Sequence, residues 1–304
     1  FTMSRDLAKQ DVQAFWGSLY DSLYDDVDGG LTREQMLAGI DDLEDMFRMR
    51  DYMTVREMPL HELKGKKVLE IGPGAGGHSV LFAKYGAIMS SADITFSRAR
   101  ATQAKFDLME DMADGCLAMQ SDAENLPFAD ATFDIVYSNG VLHHTPDTEQ
   151  AINEVYRVLK PGGQAVIMLY CKDSWHYWLN MFLCVGILTG KIFTGPNWLG
   201  RATEWGGKDA QTKQNPITRC YSKGGARKLF AKYQDVSLRK GEFYFYLIPK
   251  LGRLYRRWQL KRYGTHPGGI LVYGEPWPIS APFERWLGRY IGWDWFISAK
   301  KPEK

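Results

Sequence analysis

Residues 5 to 50 carry their apolar positions at helical spacing. In DVQAFWGSLYDSLY, Phe15, Leu19 and Leu23 recur every fourth residue on one side, which predicts an amphipathic helix. A DVDGG break follows, and TREQMLAGIDDLEDMF then opens on a threonine suited to capping a second helix. From Lys66 the pattern changes. Short apolar runs at 67–71, 88–93, 115–119, 133–138 and 163–170 alternate with helical stretches, the order expected of a doubly wound α/β sheet. The clearest of these helices is TEQAINEVYRVLKPGG, with Ile152, Val155, Tyr156 and Leu159 on one face and Pro-Gly-Gly as its stop.

After Tyr170 the alternation is interrupted by a segment rich in Trp, Gly and Asn, at about 171–220. A helix resumes at YSKGGARKLFAKY, a strand follows near 234–240, and a second irregular insertion runs over about 244–290. The closing GWDWFISAKKP suits an edge or inserted antiparallel strand. No repeat or low-complexity segment is present.

Composition narrows the function classes. The 304 residues carry a net charge of +2 with 45% hydrophobic positions, ordinary for a folded globular chain and no sign of a nucleic-acid partner. The charge is nevertheless uneven: residues 21–62 hold twelve acids against four bases, and residues 219–262 thirteen bases against two acids. Cys116, Cys171, Cys184 and Cys220 show no C-x-x-C pair, so neither a metal site nor a disulfide framework is signalled. The opening FTMSRDLAKQ lacks a basic-then-apolar signal pattern, and a reducing cytoplasm is the expectation. The uncharged run SWHYWLNMFLCVGILTG, between Asp173 and Lys191, is just short of a spanning helix and contains polar residues.

The candidate chemistry starts in VLEIGPGAGGHSVLFAKYG. Gly72, Gly74 and Gly77 satisfy G-x-G-x-x-G, a loop that turns sharply off a strand and lets a ligand approach the backbone. Glu70 discriminates between ligands. A carboxylate beside the loop repels the pyrophosphate of a dinucleotide and favours a cation, and S-adenosylmethionine carries an ammonium and a sulfonium with no phosphate. Asp93 ends the second strand, where it can accept from ribose hydroxyls of either cofactor. Asp122 follows the third strand, placed to accept from an adenine amino group. Alternatives remain for each: a salt bridge from Glu70 to Lys66 or Lys67, a surface turn for Asp93, a helix cap for Asp122.

Taken together, VLEIGPGAGG, ADIT, SDAENLPFADATFDIVYSNGVLHH and EVYRVLKPGG resemble the class I S-adenosylmethionine-dependent methyltransferases, in particular the small-molecule group that includes the ubiquinone/menaquinone C-methyltransferases. The resemblance is close over residues 67 to about 170. It implies a seven-stranded, mostly parallel, Rossmann-like sheet of order 3-2-1-4-5-7-6, with N-terminal helices and two insertions. It also implies an enzyme that transfers a methyl group from S-adenosylmethionine to a small organic acceptor. Glu70, Gly72, Gly74 and Gly76 would line the methionine portion and Asp93 the ribose. Ile94 would pack on adenine, Asp122 and Ala123 would hold its edge, and Asn139 would sit under the sulfonium.

The resemblance further casts residues 1–60 as a helical lid over a domain at 61–304, with Tyr20 and Tyr24 facing the cleft; the alternative is an aromatic pair packed on the domain. His143 and His144 follow the fourth strand, where a histidine can take a proton near neutral pH, or serve only as packing and capping groups. Cys171 reads as a buried, inert thiol. The aromatic set Trp175, His176, Tyr177, Trp178, Trp198 and Trp205 is expected to build an apolar acceptor pocket. In KLGRLYRRWQLKRYG, Leu251, Leu254, Tyr255 and Trp258 share a face opposite Lys250, Arg253, Arg257 and Lys261. Such a segment, 250–262, can lie on an anionic membrane, or pack its apolar side on the domain, or meet the acidic N-terminal region.

Overall fold

Each apolar run is followed by a turn and a helix that carries the chain back to the same edge, so successive strands pair in parallel. The computed structural model describes residues 5–204, 214–245 and 251–304. Its main strands are β1 (Lys67–Ile71), β2 (Ile88–Asp93), β3 (Leu117–Gln120), β4 (Phe133–Asn139), β5 (Leu159–Tyr170), β6 (Gln234–Gly241) and β7 (Asp294–Lys300). The sheet order is 3-2-1-4-5-7-6, the order the resemblance implies. The first five strands are parallel, and β7 is inserted antiparallel between β5 and β6. One register departs from expectation. Helical geometry ends at Val158, and pairing jumps from Phe133↔Leu159 to Ile135↔Gln164, so Pro-Gly-Gly forms a bulge in β5 rather than a helix stop.

Helices cover both faces. On one side α1 (Arg5–Asp28), α2 (Arg33–Arg50), α3 (Gly77–Lys84) and α4 (Phe96–Met109) precede or connect the first strands; α5 (Thr148–Val158) and α6 (Lys223–Leu229) follow. Thr32 caps α2 in a reciprocal capping box with Gln35, satisfying two orphan donors of the first turn. Buried Met36, Ile40, Leu43 and Phe47 of α2 join Val80 and Phe82 of α3 in one core. This corrects the assignment of residues 1–60 to a lid: α2 is part of the domain, and only α1 lies over the carboxyl edge of the sheet.

The apolar stripe of α1 also differs from expectation. Phe15 is buried, but Leu23 is exposed, and the inward positions are Val12, Phe15 and Tyr24. Trp16 and Tyr20 complete a four-residue repeat along that side and reach the cavity described below. Ion pairs hold the helix down: Lys9 meets Asp122 and Glu124, and buried Arg98 of α4 meets Asp21 at 2.9 Å and Asp28 at 3.0 Å.

The second insertion carries α7 (Gly252–Tyr263), a small hairpin (Thr265–His266 with Trp277–Pro278) and α8 (Pro282–Ile291). Its residues 266–273 meet the acidic α2, with His266 3.2 Å from Asp45 and Leu271 packed against Gly39. Among the described residues no helix is long and apolar enough to cross a membrane. Trp205 and Lys250 lie outside the described residues.

Candidate active site

A cavity of about 710 Å³ opens at the carboxyl edge of β1, β2 and β4, beneath α1. Gly72, Gly74, Asp93, Ile94, Asp122 and Ala123 all line it, with Val12, Trp16 and Tyr20 as its roof. A smaller adjoining cavity is lined by Glu70, Gly74, Asn139 and Tyr20, together with Leu271 and Val272 of the second insertion. The two share Tyr20, Gly72 and Gly74, and together they gather all the predicted cofactor contacts except Gly76.

The glycine loop shows why side chains are excluded. Gly72 and Gly74 have φ of 74° and 55°, a left-handed conformation that costs L-residues about 1–2 kcal/mol. A Cβ on Gly74 would stand 2.9 Å from the Tyr20 ring. Gly76 is also left-handed, but a side chain there would meet Thr102 of α4. It therefore serves helix packing, which corrects its placement as a ligand contact.

Glu70 is buried and paired with neither Lys66 nor Lys67. Ser79 donates to it, and the Nδ1 of His78 is 3.7 Å away. Burial raises the Glu70 carboxyl to about 8, with the Ser79 hydrogen bond opposing the shift. His78 is held down to about 3 by burial, with Arg50 adding to the effect, so it brings no positive charge to Glu70. A buried carboxyl with only a hydroxyl donor suits a cationic group arriving from the cavity. Asp93 is shaped for a diol: Thr95 donates to Oδ1 from both backbone and hydroxyl at 2.8 Å, and burial raises its pKa despite these bonds. Asn139 accepts a hydrogen bond from Tyr52 at 2.6 Å, which fixes its amide.

The histidine pair splits into two roles. His143 is fully buried, stacks on Tyr170 with centroids 3.9 Å apart, and has no partner for either ring nitrogen. Burial drives its pKa well below the usual value, so of the two readings, base or packing group, His143 fits packing. His144 lines the cavity beside Trp16, rings 4.9 Å apart. Its Nδ1 lies 2.9 Å from the carbonyl of Ile217 and 3.0 Å from the side-chain amide nitrogen of Asn215, an acceptor and a donor that suit opposite tautomers. Nε2 is 3.8 Å from Glu204, and burial lowers the His144 pKa.

Tyr20 and Tyr24 also separate. They stack at 5.5 Å, but Tyr24 is buried and donates to the carbonyl of Val272. Of the pair expected at the cleft, and of the two as candidates for catalysis, only Tyr20 lines the cavity; Tyr24 is a structural pin.

The aromatic pocket expected from 171–220 is absent among the described residues. Trp175 packs on Phe243, His176 on Trp293 and Trp198 near Phe182, while Trp178 is exposed. The first insertion instead buttresses His144 through Ile217, Thr218 and Glu204. Several site residues carry no obvious motif. Lys9 occupies Asp122, and Ser121 lines the cavity with its hydroxyl buried and unpartnered. Trp16 stands one helical turn before Tyr20, a spacing that marks it once α1 is known to face the cleft. Among the described residues no three His, Cys, Asp or Glu side chains are gathered to hold a metal.

Residues 69–167, from β1 into β5, match the family model described as a methyltransferase domain. The likeness to that family covers about a third of the chain. The chain is 34% identical over 99 residues to a sterol 4-C-methyltransferase of Caenorhabditis elegans, covering 33% of this chain and 29% of that one. It is 34% identical over 113 residues to a ubiquinone/menaquinone biosynthesis C-methyltransferase of Haemophilus ducreyi, covering 36% and 43%. The chain thus spans less than half the length of these relatives. Among solved structures, the phospholethanolamine N-methyltransferase 2 of Haemonchus contortus, with phosphomonomethylethanolamine and S-adenosylhomocysteine, superposes with a TM-score of 0.51 at 16% identity, covering 90% of this chain and 61% of that one. At that identity the likeness shows the fold of the methyltransferase domain alone.

Proposed function

We propose that this protein transfers a methyl group from S-adenosylmethionine to a small, lipophilic organic acceptor. The observation that carries the proposal is Glu70: a buried carboxyl without a cationic partner, facing two glycines that leave the cavity open. When bound, S-adenosylmethionine supplies a methyl group on a sulfonium, an electrophile suited to in-line displacement. Glu70 would hold the ammonium, Asp93 the ribose hydroxyls, and Ser121 with Asp122 the adenine edge; Ile94 would pack on the ring.

The chain's own residues do the rest. Val12, Trp16 and Tyr20 exclude water, giving α1 the part of a lid. His144, neutral because it is buried, is the imidazole lining the cavity that would take a proton leaving the acceptor. A lipophilic acceptor is supported by relatives named for sterols and quinones. A reducing, cytoplasmic setting belongs to the same proposal and is supported by four unpaired cysteines.

Calorimetry with S-adenosylhomocysteine and with NAD(H), followed by labelled methyl transfer to a panel of sterols, quinols and phenols, tests it. Uptake of the adenosyl ligand and label in a lipophilic product are expected. Tight NAD(H) binding with indifference to both adenosyl ligands overturns the proposal. Binding without turnover across the panel would point instead to a regulatory module.

A further inference from the structure

Both insertions turn bulky apolar side chains away from the protein. The first carries a π-helix, His176–Ile187, in which i→i+5 bonding, continued by the Leu188 N–H to the Leu183 carbonyl at 3.0 Å, stacks residues four to five apart on one face. Trp178, Leu183 and Leu188 recur at that interval and are exposed together with Ile187, and Phe193 beyond them is 84% exposed. The segment holds no charge between Asp173 and Lys191.

In the second insertion the orientation of α7 is reversed from that of an ordinary surface helix. Its polar Gln259 is buried and bonds Glu284 of α8 at 3.0 Å, whereas Leu251, Leu254 and Trp258 at 58%, 64% and 47% face outward. Arg253, Arg257, Lys261 and Arg262 are exposed with them, and residues 251–263 contain no acid. The packed α8 adds exposed Trp286 and Tyr290.

The two insertions meet. Ring contacts run from Trp175 to Phe243 at 5.0 Å, on to Phe245 at 6.3 Å, and to Tyr255 of α7 at 4.6 Å. Both leave the sheet at its carboxyl edge, since Tyr170 of β5 and Gly241 of β6 each pair with Asp294. That is the edge at which the cavity opens.

We propose that this face docks on an anionic lipid bilayer. Exposed Trp and Leu fit the boundary between headgroups and acyl chains. A basic helix without acids complements an anionic surface, and an uncharged apolar helix beside it would enter the acyl region. Delivery of a lipophilic acceptor from the bilayer to the cavity rests on the methyl-transfer proposal; the docking does not.

Flotation of the full chain with vesicles decides the matter. Vesicles of phosphatidylglycerol in phosphatidylcholine are expected to carry the protein up, pure phosphatidylcholine much less, and added salt should weaken the association. Arg253→Gln with Arg257→Gln should lower partitioning about thirtyfold. Leu183→Ser with Ile187→Ser should lower it at least about tenfold. Calorimetry with S-adenosylhomocysteine on the same samples should give wild-type affinity for every variant, which shows an intact fold. Loss of that binding in the wild type would sink the methyl-transfer proposal and leave flotation standing. Failure to float with phosphatidylglycerol, or equal flotation of all variants, overturns the docking. So does a dimer in sedimentation that these variants disperse while no vesicle is bound, because a second copy would then cover the face.

Discussion

Replacing Glu70 by Gln removes one ionisable oxygen and keeps the shape, so it isolates the role of charge in holding an ammonium. In the free protein burial holds this carboxyl at about 8, so at pH 7 about one tenth of it is ionised, and ionising the remainder costs about 1.4 kcal/mol. A charge-assisted hydrogen bond to an ammonium contributes about 1.5–3 kcal/mol. The net advantage of Glu over Gln is therefore at most about tenfold at pH 7. It should shrink by almost a factor of ten with each unit of acidification, because each unit adds another 1.4 kcal/mol to the ionisation. Calorimetric titration with S-adenosylhomocysteine should show affinity rising by up to about tenfold between pH 5.5 and 7, a range below that of α-amino groups, and levelling off at the low end where the neutral carboxyl binds as Gln does. Up to about 0.8 proton should be released on binding at pH 7, read from the dependence of the heat on buffer. His78 stays neutral throughout, its pKa being held near 3. The E70Q variant should lose most of this slope, and any slope it keeps belongs to Asp93, the other buried acid in the site. Wild-type affinity that is flat with pH, together with no buffer-dependent heat, would refute the assignment of Glu70 to the ammonium.

Two further outcomes follow from the geometry. Gly74→Ala places a methyl 2.9 Å from Tyr20 at a left-handed backbone position. It should cost about 1–2 kcal/mol in urea unfolding and weaken S-adenosylhomocysteine binding by loosening α1. Asp294 is buried with Oδ1 unpartnered, and burial beside Glu242 raises its pKa well above 3.8, Arg50 opposing. A carboxyl whose folded pKa is raised favours the native state below its unfolded pKa and loses that stability as pH rises through the raised value. Asp294→Asn should therefore unfold at higher urea than wild type at pH 8, with the difference closing towards pH 4; a constant offset across that range would exclude titration of this group as the cause.

The strands and the glycine loop were legible because they rest on local patterns, whereas the sheet order came from the resemblance. β1 and β4 read as near-continuous apolar runs because both their faces are covered, and Gly72 and Gly74 answer first to a left-handed backbone. Glu70, Asp93 and Asp122 were legible because each ends or follows a strand at the edge where ligands bind. Lys9, Trp16 and Ser121 were not, since their relevance depends on how α1 lies across the sheet, a tertiary fact. Periodicity likewise revealed the two faces of α7 but not which one meets the protein. There Gln259 gained a buried partner in Glu284, and the apolar side was left outward against the usual preference. The aromatic residues at 175–198 misled for a related reason: composition announces an apolar environment, and these rings supply it mainly to one another and to Trp293 and Phe243.

The ion pairs that seat α1 have a kinetic consequence. Lys9 and Arg5 fasten one end of the helix to Glu124, and Arg98 with Lys105 fastens the other through Asp28. The cavity lies beneath the span between them. Under the proposed activity spent donor departs only when one of these clasps opens, so egress rather than bond-making would pace the cycle. Ionic strength, which leaves a displacement at carbon in a dry pocket largely untouched, would then act as an accelerator.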